Sequence, residues 1–427
     1  MKLAGARKQT ILLTGVNGIV RALGLLMRVI LSRGLGAEIV GIAEIAQSVH
    51  MIAITPLTSG LPAAISRMTA KAAHEDAQKP LLAGLWLSRM VSVVLIPLLW
   101  MLSPQIARLM DDVRVLPSLW FTAPCILILG YSASYNGFCY GMDWAYLPAF
   151  SELIEQAARL MLTLAALFIM RHLTAPWLAA IPAAATMLAE ILGMLFIFHA
   201  LPVKIHSASP AGWRSPLIQL AFPTTISRMI QTVLRSFNAI LLPMRLHVSG
   251  LSTAEATARL GMFNGMVMPI LMLPCVFTSA LSMVAVPKLA RAENNPHEFR
   301  RLIRLCLASC LPASAASALL IYLAAPFLAH RVYRQPELME LFVLCAPMTV
   351  LFALSHLCGS VLSALGWQKA SMFASCAISL ISLLLTWSWT ADPSLRLLGV
   401  IRAQYVSQLL SILSGTWLIL RWMRQTR

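Results

Sequence analysis

Runs of about twenty apolar residues recur along almost the whole chain, each closed by a short polar break. A hydrocarbon core about 30 Å thick takes roughly 20 apolar residues per helical crossing, so every run predicts a membrane-spanning helix. In order, the spans lie near residues 10–32, 39–63, 81–103, 117–139, 147–170 and 176–200. A second set lies near 216–244, 260–286, 302–328, 340–364, 370–390 and 397–420. Membrane barrels instead show segments of about ten residues that alternate apolar and polar, which excludes strands here. The pattern predicts an all-α polytopic membrane protein of about twelve transmembrane helices.

Composition agrees. Of 427 residues, 59% are hydrophobic and 11% charged, whereas a soluble domain carries about 25% charged residues. The net charge of +17 has two ordinary sources, a nucleic-acid-binding face or cytoplasmic loops rich in Lys and Arg. Position decides between them. Arg67, Lys71 and Lys79, and later Lys288, Arg291, Arg300, Arg301 and Arg304, flank apolar runs on alternate breaks. The intervening breaks hold fewer bases, and Asp111, Asp112, Glu337 and Glu340 nearly balance them. This bias fits twelve spans with both termini cytoplasmic in a bacterial inner membrane, and no nucleic-acid partner. Arg21 and Arg28 inside the first run argue against a cleaved signal peptide. The eight cysteines lie mostly in apolar runs, so neither a disulfide, a metal site nor a cofactor is expected.

Local patterns recur in the same order in both halves. Ile19-Val20-Arg21 with Arg28 resembles Ile226-Ser227-Arg228 with Arg235, 207 positions on. Ala64-Ile65-Ser66-Arg67-Met68 resembles Ala285-Val286-Pro287-Lys288-Leu289, 221 positions on. Ala123-Pro124, followed by Gly141 and Trp144, resembles Ala346-Pro347, followed by Ala364 and Trp367, 223 positions on. The jump in offset between the first two pairs predicts a longer connection between the seventh and eighth spans. Ser252-Thr253-Ala254-Glu255 there is a capping-box pattern that would start a short helix on the membrane surface. Repeats in one orientation predict two six-helix halves, residues 1–205 and 206–427, around a central cavity.

Charge inside a span costs about 2.5–3.5 kcal/mol or more, so such residues normally face a cavity or a partner. On the first span, Asn17, Arg21 and Arg28 stand at i, i+4 and i+11; seven residues are nearly two turns, which sets both arginines on one face. On the seventh, Arg228, Gln231, Arg235 and Asn238 form a stripe at i, i+3, i+7 and i+10. Paired stripes on pseudo-equivalent helices predict two basic walls of one cavity. Guanidinium suits phosphate, because its planar fork donates two hydrogen bonds at once. The other reading is that these arginines snorkel to an interface or pair with acids such as Glu44. Glu44 is also the candidate for coupling to H⁺ or Na⁺, whereas Glu155 and Arg159, at i and i+4, are expected to pair directly. His50 and His356 are expected to pack rather than ligate. Prolines within many spans favour kinks that suit rocking motions, and no catalytic motif marks an enzyme.

Gly34-Leu35-Gly36-Ala37-Glu38, followed by Gly60-Leu61-Pro62-Ala63-Ala64-Ile65-Ser66-Arg67, resembles the opening of the stage V sporulation protein B family. Gly137 and Gly141 with Ser151, Glu155, Gln156 and Arg159 extend the likeness, as do Gly250-Leu251-Ser252 with Glu255-Ala256-Thr257. Gly261, Gly265, Pro269, Pro274, Ser279-Ala280-Leu281 and Pro287-Lys288 complete it. That family sits with polysaccharide and lipid II flippases in the multidrug/oligosaccharidyl-lipid/polysaccharide (MOP) exporter superfamily. The resemblance implies a MATE- and lipid II flippase-like bundle that moves an undecaprenyl-diphosphate-linked sugar outward by alternating access, driven by H⁺, Na⁺ or the membrane potential. It makes Arg21, Arg28, Arg228 and Arg235 the nearest cavity candidates. Many relatives carry fourteen spans, and this chain has twelve expected. Two rival readings stay open: a MATE-type antiporter of cationic drugs or metabolites, and a non-transporting scaffold for cell-wall assembly. Cationic cargo calls for acidic walls, and arginine stripes favour an anionic, lipid-linked saccharide.

Overall fold

Each apolar run is helical in the computed structural model, which describes residues 2–425 apart from 111, 171, 207–208 and 293–294. At 2–14, 74, 280, 283–284, 287, 296 and 425 the description covers the backbone alone, and Asp111 lies outside the described residues. The order begins with α1 (Lys2–Thr58), α2 (Leu61–Lys71), α3 (Lys79–Leu109), α4 (Leu116–Gly141), α5 (Tyr146–Ile169) and α6 (Ala175–Ala200). It continues with α7 (Ala211–Val248), α8 (Thr253–Leu260), α9 (Met268–Leu271), α10 (Cys275–Arg291) and α11 (Pro296–Phe327). The chain closes with α12 (Leu338–Cys345), α13 (Met348–Ala364), α14 (Gln368–Thr390) and α15 (Leu397–Gln425). No strand occurs among the described residues. Six of the described helices are long and apolar enough to cross a membrane, or seven when α12 and α13, bent by 45° to each other, are counted as one span. α5 carries Glu152, Glu155 and Arg159 within 24 residues, which sets it apart from those apolar helices.

The first two expected spans meet without a loop. Gly36 alone breaks α1, at φ 79 and ψ 171, a backbone state that glycine enters without strain. The matching break in the second half holds Gly250 at φ 94, between α7 and α8. Residues 249–252 separate those helices, a longer connection than the single glycine that breaks α1, though by only a few residues. Most of the extra length is helical. Arg228 lies 22 positions before Gly250, against 15 from Arg21 to Gly36; Ala285 lies 35 positions after Gly250, against 28 from Gly36 to Ala64. Seven additional residues on each side are about two turns, which lengthens the helices while keeping the polar stripe in register. The capping box forms as the sequence predicts: Ser252 Oγ accepts from Glu255 N–H, and the Glu255 carboxylate accepts from Ser252 N–H at 3.0 Å. α8 leads into a π-helical stretch at Gly261–Val267, then α9 and, after a break, α10.

Contacts gather the chain into two compact units, Met1–Ser236 and Phe237–Arg427. The division falls within α7, whereas the repeat pattern places it at 205/206. In the first unit α4 packs against α1, α2, α3 and α6. Small residues permit this: a Cβ on Gly137 would meet the Pro62 carbonyl oxygen at 2.7 Å, and one on Gly141 the Ser66 carbonyl oxygen at 2.8 Å. Between helices in lipid, such close approach supplies van der Waals contact where the hydrophobic drive is missing. The second unit centres on Phe299, Cys306, Cys310, Leu357, Val361 and Trp422, with the Phe299 and Trp422 rings 4.7 Å apart.

Candidate functional site

Val16 and Val20 pack against Ala149 of α5, a contact that leaves Asn17 and Arg21 uncovered on α1. Arg28, two turns further on, is half-buried, and its Nη1 donates to Glu44 Oε1 at 2.8 Å across the Gly36 break. The ion pair with Glu44 that the sequence offers Arg28 is formed. Along α7, Arg228 and Arg235 are exposed and Gln231 is half-buried, while Thr232 hydrogen-bonds Thr55 of α1 at 3.3 Å. Asn238, on the part of α7 that belongs to the second unit, buries an Oδ1 that meets no donor. Arg21, Arg228 and Arg235 form no ion pair or hydrogen bond among the described residues. The structure thus joins Arg28 to Glu44 and leaves the three other guanidinium groups without a direct partner among the described residues. Uncompensated charge on an apolar helix needs water or an anion.

Inside the first unit lies a cavity of about 430 Å³ walled by α1, α4, α5 and α6. His50, Asn136, Glu152, Glu155, Arg159 and Glu190 line it. The expected Glu155–Arg159 pair is not made. Arg159 Nη2 donates to Glu190 Oε1 on α6 at 3.1 Å, and Glu155 Oε1 accepts from Ser151 Oγ at 2.8 Å. The cause is Gly193 of α6, whose missing side chain leaves the space that the Glu155 carboxylate fills. Arg159 therefore reaches past its own helix to the carboxylate facing it. Glu155 and Glu190 are each 9% exposed or less, and His50 is 7% exposed with no hydrogen bond among the described residues. Asn136 Oδ1 and Arg159 Nε are likewise buried without partners. His356 in the second unit does have one, Thr278 Oγ1 at 3.2 Å from its Nδ1.

Sequence reasoning weighed these carboxylates one at a time and so missed the cluster. The signal was present. Glu152, Glu155, Gln156 and Arg159 follow i, i+3, i+4 and i+7, the same single-face spacing that marks the stripe on α7. No group of three or more His, Cys, Asp or Glu among the described residues is arranged to hold a metal ion.

A family model described as polysaccharide biosynthesis protein matches residues 6–293. Stage V sporulation protein B of Bacillus subtilis (strain 168) is 26% identical over 413 residues, covering 92% of this chain and 79% of that protein. Among solved structures, the chain is similar to an inward-facing multidrug resistance MATE family transporter of the MOP superfamily, with TM-score 0.78 and 16% identity. That match covers 95% of this chain and 96% of the transporter. Lipid II flippase MurJ in an inward closed conformation aligns with TM-score 0.76 and 13% identity, over 97% of this chain and 90% of MurJ. At such identities the likeness establishes a fold, that of the MOP-type transporters.

Proposed function

Because the chain belongs to the polysaccharide biosynthesis protein family, we propose that it flips an undecaprenyl-diphosphate-linked saccharide, of the lipid II or polysaccharide-precursor kind, by alternating access. It is a multi-pass membrane protein of transporter fold. The setting we assign is the bacterial cytoplasmic membrane, with both termini inside, in cell-wall or spore-cortex biogenesis. One observation carries the reading of the cargo: Arg21, Arg228 and Arg235 stand uncovered on α1 and α7 within the first unit. A diphosphate supplies the charge they lack and accepts their forked donors two at a time. The names of two relatives point the same way, one a sporulation protein and the other a lipid II flippase.

A second reading has its own support. The acidic cavity among α1, α4, α5 and α6 is the kind of wall that a cationic drug or metabolite needs, and a MATE transporter is among the structural relatives. The two readings separate in cells whose own lipid II flippase is shut off. Expression of this chain restores growth if the cargo is a lipid-linked cell-wall precursor. Failure to restore it at normal protein levels, together with raised resistance to cationic dyes, favours the antiporter instead.

A further inference from the structure

We infer that a cleft between α2 and the start of α7, inside the first unit, binds the phosphate headgroup of an anionic glycerophospholipid. The two helices meet at Gly60, the residue before α2, where a Cβ would run into the Ala221 carbonyl oxygen and Thr225 Oγ1 of α7. Further along they leave an open cavity of about 450 Å³. Arg67 and Lys71 line it from α2, and Trp213, Pro216, Gln219 and Leu220 from α7. The two bases stand at i and i+4, which puts them on one face of α2. Both are exposed, and neither makes an ion pair or hydrogen bond among the described residues. No acid lines the cleft among those residues. Of the acids that follow α2, Asp76 is held by Lys79 at 2.7 Å and Glu75 is exposed. Two cations on a concave wall, with no carboxylate to satisfy them, are a site for an anion.

The walls are set before any ligand arrives. Gln78 Nε2 donates to the Lys204 carbonyl oxygen at 2.9 Å, and Gln78 Oε1 accepts from the His206 N–H at 2.9 Å. This carboxamide ties the backbone leading into α7 to the turn that follows α2. Arg214, next to Trp213, stacks over the Trp86 ring of α3 at 4.2 Å, and its Nε is buried without a partner. It anchors the α7 wall and adds a third positive charge beside the cleft. Position then selects the kind of anion. The apolar run that leads into α2 closes near residue 63 and that of α7 opens near 216, so the cleft lies at the edge of the hydrocarbon. Tryptophan is favoured at that depth, and basic groups there meet the phosphates of anionic lipids. The Arg67 fork and the Lys71 ammonium would hold the phosphate, while Met68, Trp213, Pro216 and Leu220 offer apolar surface to the glycerol and the first methylenes. A soluble phosphate has no use for that surface. The cleft is also apart from the cargo arginines: Pro216 precedes Arg228 by twelve residues, about 18 Å along the helix, so the site does not depend on the cargo reading.

Native mass spectrometry of the purified full-length protein tests this, with phosphatidylglycerol, phosphatidylcholine, inorganic phosphate and undecaprenyl diphosphate as the probes. Wild type should hold one phosphatidylglycerol at least about tenfold more tightly than phosphatidylcholine. Arg67→Ala with Lys71→Ala should weaken that binding about tenfold or more, whereas Arg301→Ala with Arg304→Ala, exposed bases on α11, should leave it unchanged. Gln219→Trp fills the cleft and keeps every charge, so loss of the lipid in this variant separates a shaped site from attraction by net charge. Should the α2 double variant fail to fold, Gln219→Trp, at an exposed position, carries the test alone. Equal retention of phosphatidylglycerol by wild type and by Gln219→Trp overturns the proposal. Displacement of phosphatidylglycerol by inorganic phosphate alone also overturns it, because the site would then be one for a soluble anion. Displacement by an equal concentration of undecaprenyl diphosphate overturns it too, and would make the cleft a waiting place for cargo.

Discussion

Arg159 has two carboxylates within reach and bonds the one on the facing helix. Its pair with Glu190 is largely buried, with side-chain exposures of 17% and 9%. Removing one partner of such a pair leaves an uncompensated charge at bilayer depth, which costs about 3–5 kcal/mol, whereas removing both costs much less. Arg159→Leu should therefore lower the thermal unfolding midpoint of the purified protein sharply, and Arg159→Leu with Glu190→Leu should recover most of the loss. Equal losses in the single and double variants would show that the pair has no such coupling. At this scale the sequence was legible in its charges and illegible in their partners. The i, i+4 rule names Glu155 for Arg159, and it fails because it sees one helix at a time; Gly193, on another helix, is what draws Glu155 away. The same limit applies to Arg28, whose partner Glu44, 2.8 Å away, lies beyond the Gly36 break.

Helix α8 begins where Ser252 and Glu255 cap each other, and that start was readable from four consecutive residues. The Ser252 backbone N–H, helped by its hydroxyl, holds the Glu255 carboxyl below the usual carboxylate range. With a folded value lower than the unfolded one, the stabilising contribution is complete above the ordinary value near ~4.3 and is lost as pH falls through the depressed one. A spin label at Ala254 should gain mobility on acidification, and Ser252→Ala should show that mobility already at neutral pH. Unchanged mobility in both would remove the box as the cause. Close helix packing gives a second expectation. Gly141→Val drives a branched side chain into Ser66 and Thr69 of α2, at a cost of about 1–3 kcal/mol or more, readable as a lower unfolding midpoint. Element ends were harder to read than elements. Hydropathy separated the first two spans by a polar gap, but a single glycine at positive φ turns the chain with no loop at all. The jump in repeat offset suggested a loop because a sequence match counts residues and is silent on whether they are coiled. The structure places most of them in helix and leaves only residues 249–252 as the connection around Gly250.

Across the whole molecule, the fold was open to hydropathy because every crossing must satisfy its own backbone hydrogen bonds, which leaves a continuous apolar run as its mark. A cavity has no such mark. Its walls come from distant parts of the chain, as Gln47, Asn136, Glu155 and Glu190 do here, and only packing assembles them. The first unit carries two kinds of charge: uncovered guanidinium groups along α1 and α7, and carboxylates gathered with Arg159 in the cavity among α1, α4, α5 and α6. The first kind carries the account of what is moved. Its most direct test is the flipping of a fluorescent undecaprenyl-diphosphate-linked sugar by the reconstituted protein, comparing wild type with Arg21→Ala, Arg228→Ala and the double variant. Each lost charge-assisted contact is worth about 1.5–3 kcal/mol, so each single variant should slow flipping roughly tenfold or more, and the double variant further. Flipping at the wild-type rate in both single variants and the double, in protein that reconstitutes normally, would contradict it.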